Sequence, residues 1–87
     1  MNPEFSIITC TLNSAHWLPQ SIRSVTRQNN VSIEYIFVDG GSTDSTLKQI
    51  QSINHPYTLI QRSANGISDA MNAGISQATG KIIACLH

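Results

Sequence analysis

The sequence alternates short apolar runs with segments of helical periodicity, and this alternation restricts the fold more than any other feature. Four runs rich in β-branched and aromatic residues predict strands, at residues 5–10, 33–38, 57–61 and 81–86. Between them, three segments predict helices, beginning near Trp17, at Ser42 or Thr43, and at Ile67. Strands that alternate with helices over short links favour a parallel sheet with right-handed crossovers. We therefore expect an α/β fold of the order β-α-β-α-β-α-β.

Local signals place the ends of the predicted helices. Pro19 is expected in the first turn of the first helix, where its missing N–H does no harm. Ser42 or Thr43 is expected to cap the second helix, and Pro56 to end it. Asn65 and Gly66 form a pair suited to positive φ, and Gly80 suits the left-handed position that ends the third helix.

The length of 87 residues allows one domain at most. Three helices are expected to leave one face of a four-stranded parallel sheet poorly covered, and such sheets normally need cover on both. We expect residues 1–87 to form one partial domain that is the first part of something larger, or whose open face is covered by a second copy in a homo-oligomer.

Composition excludes several functions. The net charge is zero with neutral histidines, so nothing draws the chain to nucleic acid. No apolar run is long enough to span a bilayer, and the N-terminus does not resemble a signal peptide, so the chain is expected to begin in the cytosol. Cys10 and Cys85 are expected to be reduced, buried thiols. The three histidines are scattered, which argues against a zinc site.

The polar residues that follow the predicted strands are the candidate functional residues, because the carboxyl ends of parallel strands meet at one edge of the sheet. Asp39 can accept hydrogen bonds there from an imide N–H or a sugar hydroxyl, and Gly40 lets backbone approach a ligand. The alternative is that Asp39 only satisfies N–H groups of its own turn. Asp69 and Asn72, three apart on the third helix, either reach a ligand or form a solvated face.

Four segments of the chain resemble the N-terminal half of family-2 glycosyltransferases of the GT-A type. They are SIITCTLN at 6–13, IEYIFVDGGSTDST at 33–46, GISDAMNAGI at 66–75 and ATGKII at 78–83. The resemblance spans essentially the whole chain, with the motifs in the family's order and spacing. It implies a Rossmann-like subdomain that binds a nucleoside-diphosphate sugar, most often of the UDP type.

The resemblance also implies which residues bind the donor. In the family, the first-strand motif and the aspartate that ends the second strand hold the nucleoside. Cys10 and Leu12 stand where the family often has a proline and an aromatic residue, and Met71 stands where many members have an arginine that helps hold the diphosphate. The nucleotide-sugar site is accordingly assigned to eight residues: Cys10, Thr11, Leu12, Asn13, Asp39, Gly40, Asp69 and Asn72.

The family's metal-binding acidic motif directly follows a strand that matches 81–86, and the sequence ends at His87. We therefore assign no metal ligand and no catalytic residue. Mg²⁺ or Mn²⁺ is expected for the complete enzyme and none for this chain alone. By itself the chain is expected not to transfer sugar.

Three functions remain open at this stage. The first is a part of a glycosyltransferase that carries out inverting transfer to a glycan or lipid-linked acceptor in cell-envelope polysaccharide synthesis. The second is a non-enzymatic remnant that self-associates or binds nucleotide weakly. The third is a small module of the flavodoxin or response-regulator kind, which would need strand-end acids grouped together, and Asp39 has no second acid beside it.

Overall fold

The computed structural model describes residues 3–27, 32–62 and 66–86. Its strands are β1 (Phe5–Thr11), β2 (Ile33–Asp39), β3 (Tyr57–Gln61) and β4 (Ile82–Leu86). Its helices are α1 (Leu18–Thr26), α2 (Thr46–Gln51) and α3 (Ile67–Gln77). The α/β class and the predicted order of elements are confirmed. Within the described residues, no helix combines the length and the apolar character needed to cross a membrane.

The four strands form one parallel sheet in the order β3-β2-β1-β4. The chain adds β2 and β3 on one side of β1 and then returns to place β4 on the other side. Strand order therefore reverses direction between β1 and β4. In open sheets of this kind, ligands bind outside the carboxyl ends of the strands, next to such a reversal.

Two apolar clusters pack against the two faces of the sheet. Helices α1 and α2 cover the face that carries Tyr35 and Phe37, which are 1% and 0% exposed. Helix α3 covers the face that carries Ile8, Ile36 and Val38 through its alanines. Strand β2 is thus buried on both faces from Tyr35 to Asp39, as a central parallel strand requires.

The cover is uneven at β4. Ile82 and Ile83, which point to opposite faces of this edge strand, are 52% and 43% exposed. They contrast with Ile36 on β2, which is fully buried. Helices pack on both faces, so the poor cover expected for one whole face is found only at the β4 edge. Whether a second copy covers this edge remains a prediction.

A hydrogen-bonded cluster ties the amino ends of three strands together, and we call it the amino-edge clamp (Ser6, Glu34, Thr79 and Gly80). One carboxylate oxygen of Glu34, Oε1, accepts from Ser6 Oγ at 2.8 Å and from the Thr79 N–H at 2.9 Å. The Gly80 N–H donates to Ser6 Oγ at 2.8 Å. The clamp thereby holds the turn before β4 against β1 and β2.

The role expected for Gly80 is wrong. Positive φ occurs at Gly41 and Gly66 and not at Gly80. A Cβ at Gly80 would lie 2.6 Å from Ser6 N and 2.7 Å from the Phe5 carbonyl carbon. Glycine is needed here because the turn runs against the β1 backbone. The positive φ expected at Gly66 is confirmed at 97°, while Asn65 lies outside the described residues.

The start predicted for the second helix is also wrong. Helix α2 begins at Thr46, and Ser45 precedes it without a side-chain cap. The hydroxyls of Ser42 and Thr43 bond instead to Asp39 and Asn13. These hydroxyls organise the loop before the helix, so α2 is only 6 residues long.

Candidate functional site

The candidate site begins where β1 and β2 end side by side. Thr11 and Asp39 are partners in the parallel register, and Gln61 continues the row on β3. The Thr11 hydroxyl donates to Asp39 Oδ1 at 2.7 Å, and the Gly40 N–H donates to the Thr11 carbonyl at 2.9 Å. The two strand ends are therefore fixed to each other at the carboxyl edge of the sheet.

Asp39 is the centre of the turn that leaves β2. Its Oδ1 accepts from the hydroxyls of Thr11 and Ser42, and its Oδ2 accepts from the N–H groups of Gly41 and Ser42 at 3.0 and 2.8 Å. The residue is only 1% exposed. Four donors fill the acceptor positions of a carboxylate. The turn-forming role that the sequence allowed for Asp39 is thus present in the structure, and its contact with a nucleoside stays a prediction.

The charge of Asp39 is stabilised by this arrangement. Burial alone would raise the pKa of its carboxyl group, but the hydrogen bonds from Ser42, Thr11 and Gly41 outweigh burial and hold the pKa below its ordinary value. Gly41 contributes because its φ of 106° brings two successive N–H groups toward one oxygen. Asp39 therefore stays ionised at neutral pH.

Asn13 joins the loop after β1 to the loop after β2. It has a positive φ of 49°, a conformation that asparagine tolerates better than most residues. Its Oδ1 accepts from the Thr43 N–H at 2.8 Å and from the Asp44 N–H at 3.3 Å. Its own N–H donates to Ser42 Oγ at 2.9 Å. Asn13 therefore holds the second loop in place.

A second set of bonds completes the connection between the loops. Asp44 accepts from the Ala15 N–H at 3.2 Å, and the Ser14 N–H donates to Thr46 Oγ1 at 2.8 Å. Hydrogen bonds from Thr46 lower the pKa of Asp44. We call residues 12–15 and 40–46 the paired loops. Their cross-bonding gives the carboxyl edge a fixed shape without any ligand.

Among the described residues at this edge, Leu12 and Cys10 have side chains that can meet a ligand. Leu12 is 51% exposed although it is apolar. Cys10 is half-buried, and burial together with the nearby Cys85 raises the pKa of its thiol. Both cysteines are free thiols, but they are half-buried rather than fully buried. Leu12 therefore offers the apolar surface at this edge.

The structure brings together part of the predicted site. Thr11, Asn13, Asp39 and Gly40 belong to the paired loops or contact them directly. Asp69 and Asn72 lie on α3, which packs on the opposite face from α1 and α2. Asn72 is exposed and Asp69 is half-buried. Asp69 pairs with Arg62, whose Nε lies 3.2 Å from Asp69 Oδ2.

Arg62 was placed at this edge by the sequence, because it follows a predicted strand, but it was not among the eight residues assigned to the site. It directly follows β3, and its N–H donates to the Asp39 carbonyl at 2.9 Å. The available signal was its place just after a predicted strand, in the same position relative to β3 that Gly40 has relative to β2. A cation is thereby added to an edge otherwise rich in carboxylates.

A divalent metal does not fit the described residues. In stretches 3–27, 32–62 and 66–86, no group of three or more His, Cys, Asp or Glu side chains is placed to hold an ion. The carboxylates of Asp39 and Asp44 are occupied by backbone and hydroxyl donors.

Curated relatives are sugar transferases. A PGL/p-HBAD biosynthesis glycosyltransferase of Mycobacterium bovis is 46% identical over 83 residues, which cover 90% of this chain and 32% of the relative. An uncharacterised glycosyltransferase of Nostoc is 34% identical over 87 residues, covering 95% of this chain and 27% of the relative. The chain thus spans about a third or less of the length of these proteins.

Solved structures give the same result. Staphylococcus aureus TarS (residues 1–349) superposes with a TM-score of 0.88 at 25% identity, over 99% of this chain and 27% of TarS. The Pyrobaculum calidifontis mannosyltransferase PcManGT, solved with GDP-Man and Mn²⁺, superposes with a TM-score of 0.83 at 26% identity, over 95% of this chain and 26% of its own. The fold is the Rossmann-like one of GT-A glycosyltransferases.

The model of a known family matches almost the whole length. The match runs over residues 6–87 and therefore includes all three helices, the paired loops and all four strands except Phe5 at the start of β1. From this match and from the relatives above, the chain belongs to glycosyl transferase family 2.

Proposed function

We propose that residues 1–87 are the donor-binding part of a sugar transferase and hold a nucleoside-diphosphate sugar at the carboxyl edge of the sheet. The observation that carries the proposal is the pair of cross-bonded loops beside the strand-order reversal. Such a preformed edge binds a ligand without first having to order the loops. The family membership supports the sugar-transfer chemistry.

The nucleoside is assigned to the edge formed by Cys10, Thr11, Leu12 and Gly40. Leu12 supplies an exposed apolar side chain on which a base can pack, and Gly40 leaves its backbone accessible. Asp39 shapes this edge. It can accept an imide N–H of the base only in exchange for one of its four present donors.

The remaining parts of the activity are assigned to sequence that the relatives have and this chain does not span. We propose that the complete enzyme uses Mg²⁺ or Mn²⁺, a UDP-type donor and a glycan or lipid-linked acceptor. It would invert the sugar in envelope polysaccharide synthesis, in the cytoplasm at the inner face of the membrane. This chain alone, as one partial domain, binds the donor and does not transfer sugar.

Calorimetric titration of the chain with UDP, and separately with GDP, tests the proposal. Leu12→Ser is expected to weaken binding of the preferred nucleotide about fivefold, since it removes apolar contact with the base. Ile75→Ser is the matched control, because Ile75 is a 44% exposed apolar side chain on α3. It should leave binding unchanged. Absence of binding at millimolar nucleotide, or equal effects of both variants, would overturn the proposal.

A second candidate is a non-enzymatic remnant that self-associates. The observation in its favour is the exposure of Ile82 and Ile83 on the edge strand β4. Exposed apolar edge strands promote pairing between chains. A concentration-dependent mass in sedimentation, without nucleotide binding, would support this candidate. A constant monomer mass together with nucleotide binding would exclude it.

A further inference from the structure

We propose that Arg62 binds the phosphate groups of the donor, with Asp69 holding its guanidinium group in position. The inference rests on the proposed function and names a residue outside the predicted site. It follows from where Arg62 lies, from the distribution of the other cations, and from the partly exposed ion pair that Arg62 makes.

The position of Arg62 is fixed by the end of the sheet. Its N–H donates to the Asp39 carbonyl at 2.9 Å, which continues the β2–β3 ladder by one bond beyond Gln61. The start of the Arg62 side chain is therefore held one strand away from the paired loops. The side chain therefore starts beside the loop that follows β2, and in this proposal it extends to the phosphate groups of a ligand held there.

The other cations lie elsewhere. The chain has five lysines and arginines, all within the described residues. Arg23 is in the last turn of α1, and Arg27 caps its end. Because this helix returns antiparallel to the strands, both lie toward the amino edge of the sheet, as does Lys81 just before β4. Lys48 is on α2, and Arg62 alone follows the end of a strand.

Carboxylates near the carboxyl edge would repel a diphosphate, and Arg62 offsets this repulsion. Asp39, Asp44 and Asp69 are all carboxylates near the carboxyl ends of the strands or the starts of helices. A diphosphate brought to this edge meets their negative potential, and an arginine offsets it. The planar guanidinium group matches phosphate oxygens with two parallel N–H bonds.

The ion pair leaves Arg62 able to bind a second anion. Arg62 Nη2 donates to Asp69 Oδ1 at 3.4 Å, and Arg62 Nε lies 3.2 Å from Asp69 Oδ2, so Asp69 engages one side of a guanidinium group that has five N–H donors. The two side chains are 47% and 36% exposed, so the unused donors are open to solvent. Asp69, in the first turn of α3, restricts the rotation of Arg62 and thereby positions the free side of the guanidinium group.

The test compares a nucleoside with its diphosphate on the full chain. Uridine and UDP are titrated calorimetrically into the unchanged chain and into Arg62→Gln. Guanosine and GDP are titrated in the same way, in case the site prefers guanine. Arg62→Gln is expected to weaken UDP binding about tenfold and to leave uridine binding unchanged. Arg62→Lys, which keeps the charge without the fork, is expected to recover part of the loss. Arg23→Gln is the matched control, because it removes an exposed arginine from the opposite edge, and it should change neither affinity.

The outcomes separate this inference from the proposed function. If uridine binds and UDP binding survives Arg62→Gln, the role of Arg62 is overturned and the donor site stands. If Arg62→Gln weakens uridine and UDP equally, Arg62 supports the structure of the edge and the inference also fails. If neither nucleoside nor diphosphate binds the unchanged chain, both proposals are overturned. High salt should also lower the ratio of UDP affinity to uridine affinity in the unchanged chain but not in Arg62→Gln, and this result would support the role of Arg62.

Discussion

Two carboxylates near opposite ends of β2 organise their surroundings in different ways. Asp39, at the carboxyl end, is 1% exposed and uses both of its oxygens to accept four hydrogen bonds. Glu34, near the amino end, is half-buried and uses Oε1 for the bonds from Ser6 and Thr79. The first shapes a loop at the candidate site, whereas the second fastens the turn before β4.

The difference separates the candidate site from the part that closes the sheet. Three of the four donors to Asp39 come from Gly41 and Ser42, which follow it in the chain. The donors to Glu34 come from residues 28 and 45 positions away. A defect at Asp39 should therefore affect ligand binding as well as stability, while a defect in the amino-edge clamp should affect stability alone.

The largest effect is expected from Asp39→Ala. The substitution leaves the N–H groups of Gly41 and Ser42 and two hydroxyls without their acceptor. The free energy of unfolding is expected to fall by about 3 kcal/mol, measured by urea denaturation. Glu34→Ala is the comparison and should cost about 1 kcal/mol, because its oxygen is half-buried and water can replace it. Equal losses would remove the distinction between the two ends of β2.

Gly80→Ala comes next and tests the amino edge without touching Glu34. The new methyl group would lie 2.6 Å from Ser6 N, and the β1 backbone cannot yield without disturbing the sheet. The expected cost is about 2 kcal/mol in the free energy of unfolding. Nucleotide affinity of the remaining folded protein should not change. If nucleotide affinity falls under conditions in which essentially all of the variant is folded, the two edges of the sheet are coupled.

A smaller effect is expected from replacing each acid by its amide. Asp39→Asn turns one acceptor atom into a donor where both were used, and should cost about 1 kcal/mol. Glu34→Gln can keep a carbonyl oxygen at the position of Oε1, and should lower the free energy of unfolding by only a few tenths of about 1 kcal/mol. Chemical denaturation of both variants side by side gives the ratio. If Glu34→Gln lowers the free energy of unfolding as much as Asp39→Asn does, the second oxygen of Glu34 also has a partner.

The smallest effect is a difference in acid sensitivity. Burial raises the pKa of Asp39, but hydrogen bonds from Ser42, Thr11 and Gly41 outweigh it, and the folded pKa lies below the unfolded value of about 3.9. The stabilisation is fully present above that unfolded pKa and is lost as the pH falls through the folded one. Between about pH 5 and pH 3 only part of it disappears.

The thermal midpoint recorded over this range measures the effect. The unchanged chain should lose more stability on acidification than Asp39→Asn does. Glu34, whose pKa burial raises but the bonds from Thr79 and Ser6 lower overall, gives the comparison: Glu34→Gln should also lose less stability on acidification than the unchanged chain. Identical slopes for the unchanged chain and Asp39→Asn would contradict the lowered pKa of Asp39.

The sequence predicted features that depend on neighbouring residues. The β-branched runs predicted every strand end to within one residue, and the short links predicted the parallel arrangement. The turn around Asp39 was open to prediction because its partners Gly41 and Ser42 are two and three residues away. Assignment of the strand ends to one edge was enough to bring Thr11 and Asp39 together.

Features that depend on strand neighbours were not predictable in the same way. Gly80 was expected to have positive φ, but its reason is the β1 backbone beside it, and nothing local shows that β4 pairs with β1. Helix α2 starts later than expected because Asn13, 30 residues from Thr43, takes part in the loop before it. Arg62 was placed at the carboxyl edge but not assigned to the site, because its pairing with Asp69, on another element, is not visible in the sequence.

The place of β4 beside β1 has a consequence for how the protein is made. The Ser6–Gly80 bond joins residues 74 positions apart, while the Thr11–Asp39 bond spans 28. Contacts of such long sequence separation slow folding, because the chain must close a large loop before they form. During synthesis, the side of β1 that pairs with β4 therefore stays unpaired until nearly all of the described chain has left the ribosome. The first strand to be made is among the last to be completed, and this interval is when the chain is most exposed to aggregation.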